Sequence, residues 1–179
     1  LVVIAVSGPP GSGKTSVAKA IAETFGLRYV SAGSIFRKAA QKRGLGIDEF
    51  SLLAEGDPSI DRAVDEATRE EEDRGDVVLD GHLTAWVIRE GIRIYVKAPR
   101  DVRYARIAKR DGIPLERAIT ENSTREESEV RRYKAIYGYD VKDLSAFDLV
   151  IDTANLSEGD TKEVVMDFLR RHEKIKRRS

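Results

Sequence analysis

The chain has 179 residues, and its 31 Lys plus Arg are balanced by 31 Asp plus Glu, with no Cys. That length suits one domain with a sizeable core, while zero net charge leaves no electrostatic footprint for a nucleic acid or a membrane. The lack of Cys excludes disulfides and thiolate metal sites, and no apolar run approaches membrane-spanning length.

The first strand begins at the N-terminal end and leaves no room for a signal peptide, so a cytoplasmic protein is expected. Charged residues make up 35% of the chain, and Met, Gln, Asn and Cys are scarce. That profile is the one associated with heat-adapted proteins.

Residues 1–6 are the first of five short, continuous apolar runs; the others are 28–30, 77–79, 92–96 and 149–151. Continuity rather than alternation predicts strands buried in a parallel sheet. The first run leads into Gly8-Pro9-Pro10-Gly11-Ser12-Gly13-Lys14-Thr15-Ser16. A helix over 14–25 follows, with Val17, Ile21 and Phe25 on one face beside Ala18 and Ala22. Strand, glycine-rich loop and helix in that order read as the P-loop of a nucleotide-binding α/β domain. The glycines let successive N–H groups converge on phosphate oxygens, and the helix N-terminus adds partial positive charge. Lys14 is expected to reach the β- and γ-phosphates of ATP, and the Thr15 hydroxyl to bind Mg2+. The alternative is a glycine-rich strand-to-helix turn with no ligand.

After the second strand, the connection 31–76 exceeds the roughly 30 residues of a simple strand–helix–strand unit. Within it Asp57-Pro58 reads as an N-cap and first helical residue, and the acidic stretch 66–74 as a solvated helix face. The third strand ends at Asp80-Gly81, where a carboxylate is expected to meet Mg2+ through water; a strand-ending turn is the other reading. Trp86 reads as a packing residue. The connection 97–148 is again oversized, and Arg103, Arg106 and Arg110 share a helix face at its start. Arg125, Glu129 and Arg132 share another, at offsets of zero, four and seven. Such spacing suits either phosphoryl-stabilising cations or a surface ion-pair ladder. Ser157 with Asp160 opens a last helix reaching about His172. The final stretch 170–179, with six basic residues, is expected to be a frayed, solvated tail. Two helical excursions from a P-loop core are what enclosing a second substrate requires.

Over nearly its whole length the pattern resembles the cytidylate kinases of the archaeal type, nucleoside monophosphate kinases of the P-loop class. The points of similarity are residues 8–15, the run Ser31-Ala32-Gly33-Ser34-Ile35-Phe36-Arg37, the segment 55–61, Leu79-Asp80-Gly81, and the long segment 125–153. The resemblance implies a five-stranded parallel sheet flanked by helices, with an acceptor-binding helical insert and a lid. The corresponding boundaries are a core of 1–30, 77–110 and 147–179, an insert of 31–76 and a lid region of 111–146. It implies transfer of the γ-phosphoryl group of ATP to CMP, with dCMP as a second acceptor, by a monomer. Ser31, Gly33, Arg37 and Gly81 would face CMP, Arg37 as a fork on its phosphate. Arg125 and Arg132 would approach the transferring phosphoryl and acceptor phosphate, with Glu129 holding the pair. Arg106 and Arg110 would reach the ATP phosphates, Arg110 in preference, while Arg103 is structural.

One departure stands out. Related kinases usually carry an Arg just after the carboxylate-Gly pair, and here the place holds His82, which either contacts the acceptor phosphate or turns away. Candidates to read cytosine are Asp57, Asp61, Arg62 and Asp65, with Ser31 below them; composition and spacing do not choose among them. The alternatives carried are another small P-loop kinase acting on AMP, UMP or a shikimate-like acceptor, and a nucleotide-dependent regulatory switch.

Overall fold

The computed structural model describes residues 1–176. Five strands form one parallel sheet: β1 (Val3–Ser7), β2 (Arg28–Ser31), β3 (Val77–Asp80), β4 (Ile92–Lys97) and β5 (Leu149–Asp152), in the spatial order β2-β3-β1-β4-β5. All five predicted strands are present. The first starts later than expected, and Leu1 is exposed. Burial on both faces holds for β1 and β3, whereas β4 alternates, with Ile92, Ile94 and Val96 buried and Arg93 and Tyr95 half-buried. As sheet edges, β2 and β5 are half-exposed, because an outermost strand has a neighbour on one side alone. Short apolar runs in sequence do not distinguish the two situations.

Strand periodicity divides the core into two layers. Ile4 and Val6 join Val17, Ile21, Val165 and Leu169, from α1 (Lys14–Phe25) and α8 (Glu158–Arg171), on one side of the sheet. Ala5 joins Leu79, Ala85 and Ile88 on the other. The caps read from the sequence form as expected. Asp57 accepts from Ser59 N at 3.0 Å, and Ser157 and Asp160 make a reciprocal capping box.

The first long connection holds α2 (Ala32–Lys42), α3 (Ile47–Gly56) and α4 (Pro58–Arg74), with a small core of Ala40, Phe50, Ala54 and Ile60. The short α5 (Thr84–Val87) links β3 to β4. The second long connection holds α6 (Arg100–Asp111) and α7 (Leu115–Tyr137). Trp86 packs edge-on to Tyr95 and Phe147.

Two local expectations change. The 66–74 stretch is not simply solvated: Glu72 is buried, and its Oε1 accepts from the backbone N–H groups of Arg89 and Glu90, both at 2.9 Å. The C-terminal stretch is not frayed through residue 176, since α9 (Glu173–Lys176) follows α8 and buries Ile175 in the main core; the rest of the expected tail, 177–179, lies outside the described residues. Among the described residues no helix is long and apolar enough to cross a membrane.

Candidate active site

The C-terminal ends of β1, β3 and β2 open onto a cleft of ≈ 1040 Å3. Register sets the arrangement. Val6 pairs with Asp80, and Asp80 with Ser31, so the starts of three functional segments stand abreast. Two backbone bonds carry the ladder past the strand ends, Gly81 N to Val6 O and Gly8 N to His82 O, each 3.2 Å. His82 is thereby held beside the first glycine of the loop.

The loop is wedged against its surroundings. A Cβ on Gly8 would lie 2.0 Å from Val96 O, and one on Gly11, at φ +78°, would lie 2.5 Å from Arg103 O. No other residue fits either place. Arg103 is buried and donates to Pro10 O at 2.9 Å, Ala98 O at 3.1 Å and the Glu126 carboxylate at 2.9 Å, so α6 and α7 clamp the loop from outside the cleft. Gly13 precedes α1 without a side-chain cap, which leaves the first N–H groups of that helix for an anion. Pro10, Gly11, Gly13, Lys14, Thr15 and Ser16 line the cleft; Gly8, Pro9 and Ser12 stand behind it as buried support.

Burial pushes the Lys14 ammonium below the ordinary lysine range. Asp80 and Glu129 draw it back up, while Arg103 and Arg110 push in the same sense as burial. Thr15 Oγ1 donates to Asp80 Oδ2 at 2.8 Å, and the Tyr29 hydroxyl donates to the same oxygen at 2.7 Å. Burial and the Asp80 carboxylate push the Tyr29 phenol up, so it stays a donor at neutral pH. Asp80 Oδ1 is buried with no hydrogen-bond partner. This bare carboxylate oxygen beside a threonine hydroxyl suits a hydrated divalent cation. Among the described residues no three acidic, His or Cys side chains gather into a metal cage.

The opposite wall comes from the two long connections. Ser31 caps α2, accepting from Ser34 N at 3.3 Å. Gly33 and Arg37 line the cleft, and Arg37 is exposed, donating to Ser34 Oγ at 2.9 Å. Asp61 and Asp65, one turn apart on α4, face α7. Arg132 Nε donates to Asp61 Oδ2 at 2.6 Å, and the hydroxyls of Tyr133 and Tyr137 both donate to Asp65. Burial pushes both carboxyls up, against the pull of Arg132 on Asp61 and of the two phenols on Asp65.

Glu129 does not bridge the two arginines as its spacing suggested. Its Oε2 sits 2.8 Å from His82 Nδ1, an ion pair when the imidazole is protonated. Burial opposes ionisation of Glu129, but His82, Arg132 and Lys14 outweigh it and hold the carboxyl below its ordinary value. Arg125 lines the cleft and makes no ion pair among the described residues.

Arg106 and Arg110 also reach the cleft wall, each with a partner: Arg106 donates to Thr153 Oγ1 at 2.8 Å and Thr153 O at 2.7 Å, and Arg110 forks onto Asp111 at 2.6 and 2.8 Å. Of the residues proposed to read a base, Asp57 and Arg62 are not on the cleft wall; Asp57 is spent as the cap of α4. Lys19, Tyr29, Phe36, Val64, Thr68 and Tyr133 line the cleft without having been singled out in sequence. The signal that could have found Tyr29 is its two-residue spacing from Ser31, which puts both on one face of β2.

A family model described as an AAA domain matches residues 7–129. A cytidylate kinase of Staphylothermus marinus is 50% identical over 171 residues, covering 94% of this chain and 97% of its own. A cytidylate kinase of Methanopyrus kandleri is 45% identical over 175 residues, covering 92% of this chain and 91% of its own. Among solved structures, a shikimate kinase from Acinetobacter baumannii in complex with shikimate matches with a TM-score of 0.64 at 18% identity, covering 97% of this chain and 95% of that one. That last likeness is one of fold.

Proposed function

The chain belongs to the cytidylate kinase family, and from that premise we propose that it moves the γ-phosphoryl group of ATP to CMP, giving ADP and CDP. The observation that carries the reading is a single cleft with an open helix N-terminus and Lys14 on one side and Arg37, Arg125 and Arg132 on the other.

In this reading a phosphate oxygen of CMP attacks the γ-phosphorus in line. The bond between that phosphorus and the β–γ bridging oxygen breaks, and the electron pair leaves on the β-phosphate of ADP. The acceptor phosphate is already nucleophilic, so no side chain needs to remove a proton. The protein's part is to fix geometry and to set charge in advance. Lys14 and the N–H groups of residues 11–16 hold the donor phosphates. Arg37 forks onto the CMP phosphate, and His82, its imidazole oriented by Glu129, donates to the same group. Arg132 is placed by Asp61 before any substrate arrives, while Arg125, in no ion pair among the described residues, approaches the moving phosphoryl. Arg106 and Arg110 complete the donor side once phosphate competes with Thr153 and Asp111 for their guanidiniums.

Thr15 and Asp80 would hold Mg2+, which when bound neutralises donor phosphate charge. Segments 31–76 and 111–146 serve as acceptor insert and lid of a monomer. Asp61 and Asp65 are the acidic candidates left on the base side, and dCMP is proposed as a second acceptor.

The test is a coupled assay of ADP release across CMP, dCMP, UMP, AMP and shikimate. CMP is expected to give the highest kcat/KM; equal turnover of AMP or UMP would sink the assignment. Hydrolysis of ATP with no acceptor turned over would favour a regulatory module instead.

A further inference from the structure

We infer that Tyr29 is a positioning residue for Asp80, holding that carboxylate so that one oxygen faces an incoming hydrated divalent cation; this rests on the reading of Thr15 and Asp80 as the Mg2+-associated pair. The two oxygens of Asp80 are in unlike surroundings. Oδ2 takes both available donors, Thr15 Oγ1 at 2.8 Å and the Tyr29 hydroxyl at 2.7 Å. Oδ1 is buried and accepts nothing. A buried carboxylate oxygen without a donor is costly unless something arrives to satisfy it. The water shell of a cation bound at Thr15 supplies such donors.

Thr15 alone does not fix the carboxylate. One hydrogen bond leaves the group free to rotate about that contact and offer either oxygen. A second donor from a different element removes the freedom. Tyr29 gives it from β2, where register places Ser31 against Asp80 and Tyr29 against Val78, so the phenol reaches along its own strand face to the carboxylate. The ring is held in turn: Lys19 of α1 places its ammonium 5.8 Å from the ring centroid. A bare Oδ1 is therefore the outcome of a construction in which α1 and β2 each give one donor to the β3 carboxylate, Thr15 and Tyr29, and of these two Tyr29 lies outside the glycine-rich loop.

The experiment measures ATP affinity by calorimetry, once with Mg2+ and once with chelator, for the wild-type chain, Tyr29→Phe and Asp80→Asn. The quantity read is the metal-linked gain, the ratio of the two dissociation constants. Tyr29→Phe keeps the ring and removes the donor. It is expected to lower the gain about three- to tenfold, the range of one hydrogen bond, with metal-free ATP affinity held within about twofold. Asp80→Asn is expected to lower the gain at least as far. A gain reduced in Asp80→Asn but unchanged in Tyr29→Phe overturns the inference and leaves the metal reading standing. A gain unchanged in both overturns the metal reading and the inference with it. Loss of metal-free ATP affinity in Tyr29→Phe would make the tyrosine a structural prop and also overturn it.

Discussion

Lys14 holds a charge in a place that disfavours it, since burial lowers its affinity for a proton and Asp80 and Glu129 offset this in part. A triphosphate would complete the compensation, and this argues for a large effect of removing the charge. Lys14→Met is expected to lower turnover by about two to three orders of magnitude, as loss of one preorganised donor does elsewhere, with an unchanged far-ultraviolet dichroism spectrum; near-normal turnover would refute the role. Arg37 is the opposite case, exposed and, among the described residues, hydrogen-bonded to Ser34. Arg37→Ala is expected to raise KM for CMP about tenfold or more and KM for ATP much less, and the reverse order would misplace it. The placement of both on the cleft was legible in sequence, because a P-loop and a helix start are local patterns. Glu129 was legible as a residue of the same cleft but not in its partner. The pairs His82–Glu129 and Asp61–Arg132 join residues 47 and 71 apart in the chain, and nothing in local spacing encodes such distances. Glu72 was misread for the same reason: its caps on Arg89 and Glu90 exist only once α4 lies across the turn that precedes β4.

Among elements, α4 and α7 define the cleft wall that faces the glycine-rich loop. The sequence announced that both long connections were helical, and the cap at Asp57 marked where α4 begins. It did not announce that α4 turns two buried carboxylates toward α7. Asp65 is the more informative of the two, with its carboxyl raised by burial and by Asp61 and lowered by the two phenols and Arg69. A raised folded-state value means that, just above the ordinary aspartate pKa, the folded chain binds more protons than the unfolded one, so this group's contribution falls as pH rises through that window. Denaturant unfolding of the wild type and Asp65→Asn across pH 3 to 7, roughly the span around the aspartate value, isolates it. The stability of the wild type relative to the variant is expected to fall with rising pH and then level off. A difference that rises instead would mean that the phenols, not burial, control the carboxyl.

For the whole molecule, zero net charge conceals a local excess. Seven Lys and Arg side chains line the cleft against five carboxylates, so electrostatic attraction for nucleotides is a property of one face. Raising ionic strength from about 0.05 to 0.5 M shortens the screening length to a few ångströms. KM for both substrates is expected to rise several-fold with little change in kcat; a flat salt response would mean that the exposed cations act only in contact. The α/β class, the five strands and the two excursions were all legible at this scale, because they follow from the order of apolar runs. Edge and centre were not, since strand order is decided by pairing across the chain.

The ties between α4 and α7 have a further consequence, for a chain made from one end. Asp61 and Asp65 are synthesised about 70 residues before Arg132, Tyr133 and Tyr137, which meet them at separations of 71, 68 and 72. At roughly 5–20 residues per second, these carboxylates wait several seconds on the ribosome without the partners that α7 brings. By then β1, β3 and β4 have been made, and so has Arg103. Arg103 waits as well, for Glu126 of α7, so one late helix completes both the clamp on the glycine-rich loop and the wall that faces it.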